Sequence, residues 1–128
     1  MRFHLSHATP SNPLYGRCPP TSDAWNAELE TLATDVLLVG HSHVPFVRRI
    51  GDRTVLNPGS LGQPRGGNPS ASYAVGEDGA FALWSFRYPI EATVEKLEAL
   101  AFPPAVESEL VHILRTGAVP ALSEISAG

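Results

Sequence analysis

The sequence predicts a layered α/β sandwich, and three observations support that fold class. Helix and strand patterns come first, two hairpins follow, and two helices close the chain. In addition, one strand is apolar throughout, and a glycine-containing turn joins the strands of each hairpin. The chain has 128 residues, which is enough for one domain and too few for two ordinary ones. We therefore predict a single domain at residues 1–119 and a tail at residues 120–128.

The first predicted elements are a strand at residues 2–7 and a helix that begins at Ser22. Polar and apolar residues alternate in "RFHLSH", which is the period of a strand, and a loop with four prolines follows it. Ser22 is a suitable N-cap residue, and the helix is expected to end near Thr34. The apolar stripe of this helix consists of Trp25, Leu29 and Leu32.

Five further strands are predicted, and tight turns join four of them into two hairpins. The continuous apolar run "DVLLV" is typical of a strand covered on both faces, and it stops at Gly40. "FVRRI" and "RTVL" flank Gly51-Asp52, a pair that favours a two-residue hairpin loop. A second hairpin joins "ASYAV" to "FALWSFRY", and both faces of its second strand are expected to be covered. Those faces carry Phe81 and Leu83 on one side and Trp84 and Phe86 on the other.

Two amphipathic helices complete the predicted domain. The apolar stripe of the first is Val94, Leu97, Leu100 and Ala101. The second begins at Pro103-Pro104 and ends at Gly117, in keeping with the preference for proline at the start and glycine at the end of a helix. Its predicted buried stripe is Val106, Leu110, Ile113 and Leu114.

Composition excludes several classes of partner. The formal net charge is −4 and the largest basic cluster is Arg48-Arg49, so we expect no general binding of nucleic acid. No apolar run approaches the roughly 20 residues that cross a bilayer, so no membrane span is predicted. The chain start lacks the apolar stretch of a secretory signal, and Cys18 has no second cysteine to pair with. These features favour a cytoplasmic location.

Two histidines follow the buried strand in "LLVGHSHVPF". Residues i and i+2 of an extended segment project to the same side, so His41 and His43 are predicted to direct both rings into one cavity. The carboxyl end of a strand is where open α/β sheets place ligands. An isolated His-x-His is about as often a pair of loop residues bonded to backbone as it is a metal site, so spacing alone leaves both alternatives open.

Several short motifs, taken together and in order, carry a resemblance that covers nearly the whole chain. "SHATP" ends the first strand, "GHSH" follows the buried strand, and "NPGS", "GSLGQPRGG" and "RYPIE" come after it. The sequence resembles the carboxyl-terminal half of calcineurin-like metallophosphoesterases, specifically the small bacterial phosphodiesterase branch. The fold implied is an α/β-β/α sandwich that lacks its amino-terminal half.

The resemblance implies a metal-dependent phosphoesterase with two divalent metal ions. His7 and His41 would ligate one ion and His43 the other, and Mn, Fe, Zn or Ni all suit such ligands. The implied reaction is attack of a metal-bridging hydroxide on a small-molecule phosphodiester or phosphomonoester. Family members also take ligands from Asp-x-His, Gly-Asp and Gly-Asn-His motifs, and the histidine of the last assists the leaving group.

These three motifs are missing here. None of Asp23, Asp35, Asp52 and Asp78 is followed two residues later by histidine, Gly51-Asp52 suits a hairpin turn, and Gly67-Asn68 precedes proline. We therefore assign no catalytic residue, expect the chain to be truncated and inactive alone, and expect it to form a homo-oligomer or to associate with the missing half. The alternative function is a non-catalytic protein-interaction scaffold, as in the retromer subunit of the same fold.

The remaining polar residues are expected to play supporting or surface roles. Asn57, Gly59 and Ser60 are predicted to shape the turn rather than to bind substrate. Arg65 lies in a glycine-rich loop and is expected to be solvated rather than to contact a phosphate. The histidines outside the predicted site are His4 and His112.

Overall fold

Six strands and three helices lie within residues 1–120, the part of the chain that the computed structural model describes. In chain order they are β1 (Phe3–Ser6), α1 (Ala24–Glu30), β2 (Val36–Val39), β3 (Phe46–Ile50), β4 (Arg53–Asn57), β5 (Ala71–Glu77), β6 (Ala80–Phe86), α2 (Ile90–Glu98) and α3 (Pro104–Thr116). The layered α/β class is confirmed, and both predicted hairpins are present. The predicted tail, apart from Pro120, lies outside the described residues.

The larger sheet has four strands in the order β1-β2-β4-β3. β1 and β2 are parallel, β2 and β4 are parallel, and only the β3–β4 hairpin is antiparallel. Parallel strands end at the same edge of a sheet, so the segments that follow β1, β2 and β4 meet there. That edge carries the candidate site.

Helix α1 covers one face of this sheet and forms the main core with it. Each fully buried apolar side chain of this kind contributes about 1.5–3 kcal/mol relative to exposure. The buried cluster consists of Trp25, Leu29, Leu37, Val39, Phe46 and Val55.

Helix α1 is shorter than predicted, because it ends at Glu30 rather than near Thr34. The guanidinium of Arg53 donates to the carbonyls of Leu29 and Leu32 and so binds acceptors that a continuing helix would use. The Thr34 hydroxyl instead contacts backbone carbonyls at the starts of β1 and β2. The chain therefore turns into the sheet about one helical turn early.

Strands β5 and β6 form a separate two-stranded sheet. Its turn at Asp78 and Gly79 has positive φ angles of 49° and 81°, as a two-residue hairpin loop of the type I′ class requires. The expectation that both of its faces are covered is wrong, since Trp84 is 56% exposed and Phe86 is 46% exposed. Phe81, on the opposite face, packs edge-on against the Phe3 ring of β1, with 6.4 Å between centroids.

Helix α3 begins and ends where the sequence predicted. Gly117 ends α3 with φ +69°, and a β-carbon there would collide with the backbone of Asn68, so only glycine fits. Val94, Ile113 and Leu114 are buried, but Val106 is 43% exposed and Leu100 is 67% exposed. α2 ends at Glu98, so Leu100 and Ala101 lie beyond the helix and cannot extend its stripe, and Val106 belongs to the first turn of α3.

The longest helix has 13 residues, and within residues 1–120 no helix has the length and apolar character of a membrane span. The assignment of residues 1–119 to one domain stays a prediction.

Candidate functional site

The candidate site lies at the edge where the parallel strands β1 and β2 end. His7 directly follows β1, and Gly40 and His41 directly follow β2. The amide of Gly40 donates a 2.9 Å hydrogen bond to the carbonyl of His7, which continues the pairing of the two strands by one residue. Two histidines that are far apart in the sequence are thereby brought to one point.

The rings of His7 and His41 are in direct contact. Nε2 of His7 lies 3.1 Å from Nδ1 of His41, and the ring centroids are 5.0 Å apart. Two nitrogens that each lie about 2.1 Å from one metal ion are roughly 3.0–3.4 Å apart when the angle at the ion is between about 90° and 109°. The observed separation falls in that interval, so these two imidazoles fit a shared metal ion.

The surroundings of His41 disfavour its protonation. Partial burial lowers the pKa of His41, and the neighbouring His7, Arg17, His43 and Arg65 lower it further because their positive charges oppose protonation. A neutral imidazole keeps a lone pair for a metal, whereas an imidazolium has none. The electrostatic surroundings of His41 therefore favour a ligand role.

His43 is oriented by the backbone of the following loop. Its Nδ1 lies 2.7 Å from the carbonyl oxygen of Gln63. A carbonyl only accepts hydrogen bonds, so Nδ1 must carry the proton, and Nε2 of the neutral ring is left with its lone pair. This contact is the backbone bonding expected of a simple loop histidine, and it is also the arrangement that orients metal-bound histidines in proteins.

The backbone that carries His41 and His43 is not extended as predicted. Both residues adopt left-handed conformations, with φ angles of 55° and 56°, and the amide of Ser42 bonds to the carbonyl of Gly40 at 2.6 Å. Histidine tolerates this region better than most residues, yet each such position costs about 1 kcal/mol or more. The loop is therefore tightly turned, and the same-side projection inferred from strand geometry does not apply to it.

Asn57 clamps this loop from the end of β4. Its side chain is fully buried, and its Nδ2 donates to the Gly40 carbonyl at 2.7 Å and to Ser42 Oγ at 3.0 Å. Its Oδ1 accepts a 2.9 Å hydrogen bond from the amide of Gly59. One amide thus joins the two loops of the site, in agreement with the supporting role predicted for Asn57.

Ser60 fixes the loop that contacts His43. Its amide donates to Ser72 Oγ at 3.1 Å, and its own hydroxyl accepts a 2.8 Å hydrogen bond from the amide of Gln63. The sequence did not point to Gln63, because its contact with His43 is made by a backbone carbonyl, which every residue has. The feature that could have indicated Gln63 is its place in "GSLGQPR", the segment that continues from the turn predicted at Asn57, Gly59 and Ser60.

Arg65 is not solvated in the way expected. Its side chain is half-buried, and its Nε is sealed from solvent without a hydrogen-bond partner among residues 1–120. Cys18, in contrast, is not activated: burial raises the pKa of its thiol, which leaves less of the reactive thiolate.

The four aspartates lie elsewhere. Asp23 pairs with Arg48, and Asp35 pairs with Arg2 at the opposite end of the sheet. Asp52 and Asp78 lie in the two hairpin turns, as the sequence indicated for Asp52. Among residues 1–120, no three histidine, cysteine or carboxylate groups come together closely enough to hold a metal ion, so His43 does not join the His7–His41 pair in one ligand set.

A cavity of about 720 Å³ adjoins the site between the two sheets. His7 and Gly40 border it at one end, and the rest of its lining is mostly apolar. The apolar residues include Phe3, Leu5, Leu38 and Phe81.

Comparisons with known proteins agree on one family. Residues 1–78 match the model of the calcineurin-like phosphoesterase superfamily domain. A probable metallophosphoesterase of Methanothermobacter thermautotrophicus is 51% identical over 39 residues, which are 30% of this chain and 23% of that protein. The phosphodiesterase YfcE of Escherichia coli is 49% identical over 41 residues, which are 32% of this chain and 22% of that protein.

A solved structure is similar over a longer range. The metallophosphoesterase from Sphaerobacter thermophilus superposes with a TM-score of 0.79 at 25% identity, over 91% of this chain and 56% of that chain. The part that matches this chain is therefore little more than half of that protein and less than a quarter of the two curated relatives.

Proposed function

The chain belongs to the calcineurin-like phosphoesterase superfamily, and on that premise we propose that it contributes to a metal-dependent phosphoesterase centre in which His7 and His41 ligate one ion and His43 a second. The observation that carries this proposal is the 3.1 Å approach of His7 Nε2 to His41 Nδ1 at the carboxyl edge of parallel strands. The substrate class is a small-molecule phosphate ester, either a diester or a monoester.

The residues of this chain act by binding and orienting. His41 offers a lone pair because its surroundings oppose protonation, and Gln63 fixes the ring of His43 so that Nε2 is free. Asn57 holds the strained backbone between these two histidines. When bound, the divalent ions supply Lewis acidity and a water acidic enough to attack phosphorus near neutral pH. Mn, Fe, Zn and Ni all suit imidazole ligands.

We further propose that the 128-residue chain alone hydrolyses phosphate esters slowly or not at all. Three neutral imidazoles divided between two cations provide no negative charge, and such a site binds divalent ions weakly. Carboxylate ligands and a general-acid histidine would then come from another polypeptide segment, either of a second copy or of further protein. The exposed face of β6 and the apolar cavity beside His7 are surfaces that such an association would bury. The single thiol of Cys18 is compatible with a cytoplasmic location.

The decisive experiment supplies the missing ligands. The part of the Sphaerobacter metallophosphoesterase that this chain does not match is fused to it, and hydrolysis of an aryl phosphodiester is measured with and without Mn²⁺. We expect activity only with added metal and its loss in His41→Ala. His112→Ala, which removes a histidine of α3 far along the chain, should leave activity unchanged. Hydrolysis without metal, or full activity in His41→Ala, would contradict the proposal.

A further inference from the structure

Arg65 carries a positive charge that nothing in the described chain neutralises. Its Nε is sealed from solvent and has no hydrogen-bond partner within residues 1–120, and one terminal nitrogen makes only a long 3.4 Å contact with Gln63 Oε1. An unpaired donor of a buried charged group costs several times more than a neutral one, so such a group is normally found with an anion. Of the eight arginines, three have carboxylate partners, namely Arg2, Arg48 and Arg115. Arg65 is distinguished by its buried nitrogen, since no other arginine has one without a hydrogen-bond partner among residues 1–120.

The position of Arg65 indicates which anion it would bind. It lies two residues beyond Gln63, whose carbonyl orients His43. Arg17, in the loop after β1, lines a second cavity together with Gly40 and Ser42, the two neighbours of His41 in the chain. Arg17 likewise has no ion pair among residues 1–120. Because the chain as a whole carries a net charge of −4, attraction for an anion must be generated locally at these side chains.

We propose that Arg65 is a substrate-binding residue whose two terminal guanidinium nitrogens donate hydrogen bonds to oxygens of the phosphoryl group beside His41 and His43, with Arg17 adding charge from the other loop. The planar guanidinium matches two oxygens of a phosphate, which a lysine ammonium cannot do. This inference rests on the proposed function, since the anion is taken to be the phosphoryl group on which the site acts. It assigns Arg65 a role that the sequence argued against.

The test measures binding of inorganic phosphate to the metal-free chain. The Nε–H of Arg65 is sealed from solvent, so its NMR signal should exchange slowly and shift on titration with phosphate. Affinities are taken from the carbon-bound ring protons of the site histidines at constant pH and ionic strength. The variants are Arg65→Gln, Arg65→Lys and Arg17→Gln, and Arg49→Gln is the matched control because Arg49 is exposed on β3 and donates only to the Gly51 carbonyl.

We expect Arg65→Gln to weaken phosphate binding by about tenfold or more, since a charge-assisted pair is lost. Arg65→Lys should lose less, because the charge stays while the two-pronged geometry goes. Arg17→Gln should lose an intermediate amount, and Arg49→Gln almost none. Unchanged affinity in both Arg65 variants, an equal loss in Arg49→Gln, or no phosphate binding by the unmodified chain would overturn the inference. If Arg65→Gln does not fold, the lysine variant and Arg17→Gln still decide.

Failure of this inference can be told apart from failure of the proposed function. In the Sphaerobacter fusion, metal-dependent hydrolysis with an unchanged KM in Arg65→Gln would remove Arg65 from the site and leave the phosphoesterase in place. In the opposite case, phosphate binding depends on Arg65 but the fusion does not hydrolyse the ester with Mn, Fe, Zn or Ni. The proposed function would then fail, while Arg65 would remain a phosphate-binding residue.

Discussion

Nε2 of His7 lies 3.1 Å from Nδ1 of His41, although 34 residues separate them in the sequence. The parallel register of β1 and β2 pairs Ser6 with Val39, the last residues of the two strands. The residues that follow these strands are therefore neighbours, and this places the two rings side by side. His43 is held separately, by the carbonyl of Gln63. Among residues 1–120, the three histidines therefore form a contacting pair and a separate ring rather than one cluster of three.

This arrangement predicts how metal affinity responds to combined substitutions. His7→Ala and His41→Ala should each weaken Zn²⁺ binding at one ion, and the double variant should lose less than the sum, because the chelate is already lost with the first ligand. The coupling energy should be about 1 kcal/mol or more. His41→Ala and His43→Ala should instead be additive within about 0.5 kcal/mol, since they act at different ions. Calorimetric titration of the single and double variants measures both terms, and equal coupling in the two pairs would argue against the assignment.

Asn57 should be among the most sensitive polar positions of the chain. Asn57→Ala removes a buried amide that makes three hydrogen bonds. It leaves the Gly59 amide without a partner and the Gly40 carbonyl with only the Ser42 amide. The expected loss is about 2–4 kcal/mol in the free energy of unfolding, measured with urea. Asn68→Ala is the control, because Asn68 is exposed and its side chain accepts only from the Ser70 amide, and it should cost under about 1 kcal/mol. Similar losses in both variants would contradict the clamp.

The strands could be predicted because their patterns reflect burial directly. "DVLLV" is apolar throughout, and Leu37 at its centre is fully buried against Trp25 and Val55. The Gly51 turn between β3 and β4 was equally clear, since its φ of 57° suits glycine. Local chemistry determines such elements, so a single sequence suffices.

Features that depend on distant contacts could not be predicted. α1 ends early because Arg53 of β4, which follows the helix only after β2 and β3, binds its last carbonyls. The left-handed turns at His41 and His43 depend on the side chain of Asn57, which approaches from another strand. Arg65 was expected to be solvated because its neighbours are glycines, and only the folded loop seals its Nε.

The ion pair between α2 and α3 predicts a pH-dependent contribution to stability. Arg115 donates to Glu91 at 2.7 and 3.0 Å, and these bonds hold the pKa of Glu91 below the ordinary value of 4.5. Because the folded-state pKa is depressed, the stabilisation is present above the unfolded pKa and disappears as the pH falls through the folded pKa.

Glu91→Gln should therefore lower the Tm slightly near neutral pH and have no effect once the pH is well below the ordinary pKa of a glutamate. Both side chains are largely exposed, so the difference should also shrink in high salt. Glu95→Gln is the control, because Glu95 lies on the same helix and has no ion pair within residues 1–120. A Tm difference for Glu91→Gln that persists in acid would show that packing, and not charge, is responsible.

Gly59 links the stability of the site loop to the orientation of His43. Its φ is +86°, and a β-carbon would collide with Ser72 Oγ and come within 3.0 Å of Pro45 Cβ. Ser72 Oγ accepts the hydrogen bond of the Ser60 amide, and Ser60 in turn holds Gln63. Displacing Ser72 should therefore loosen the carbonyl that orients His43.

We expect Gly59→Ala to destabilise the chain by about 2–4 kcal/mol and to speed solvent exchange of the Nδ1 proton of His43. Gly51→Ala is a matched control, because Gly51 also has a positive φ, of 57°, but a β-carbon there would meet no atom within 4 Å. It should cost only the backbone strain, about 1 kcal/mol, and leave the His43 proton unchanged. Urea unfolding and proton NMR measure the two effects on the same samples. Equal proton exchange in the two variants would mean that Ser72 and Ser60 do not transmit the Gly59 contact, and His43 would then owe its orientation to Gln63 independently of the turn.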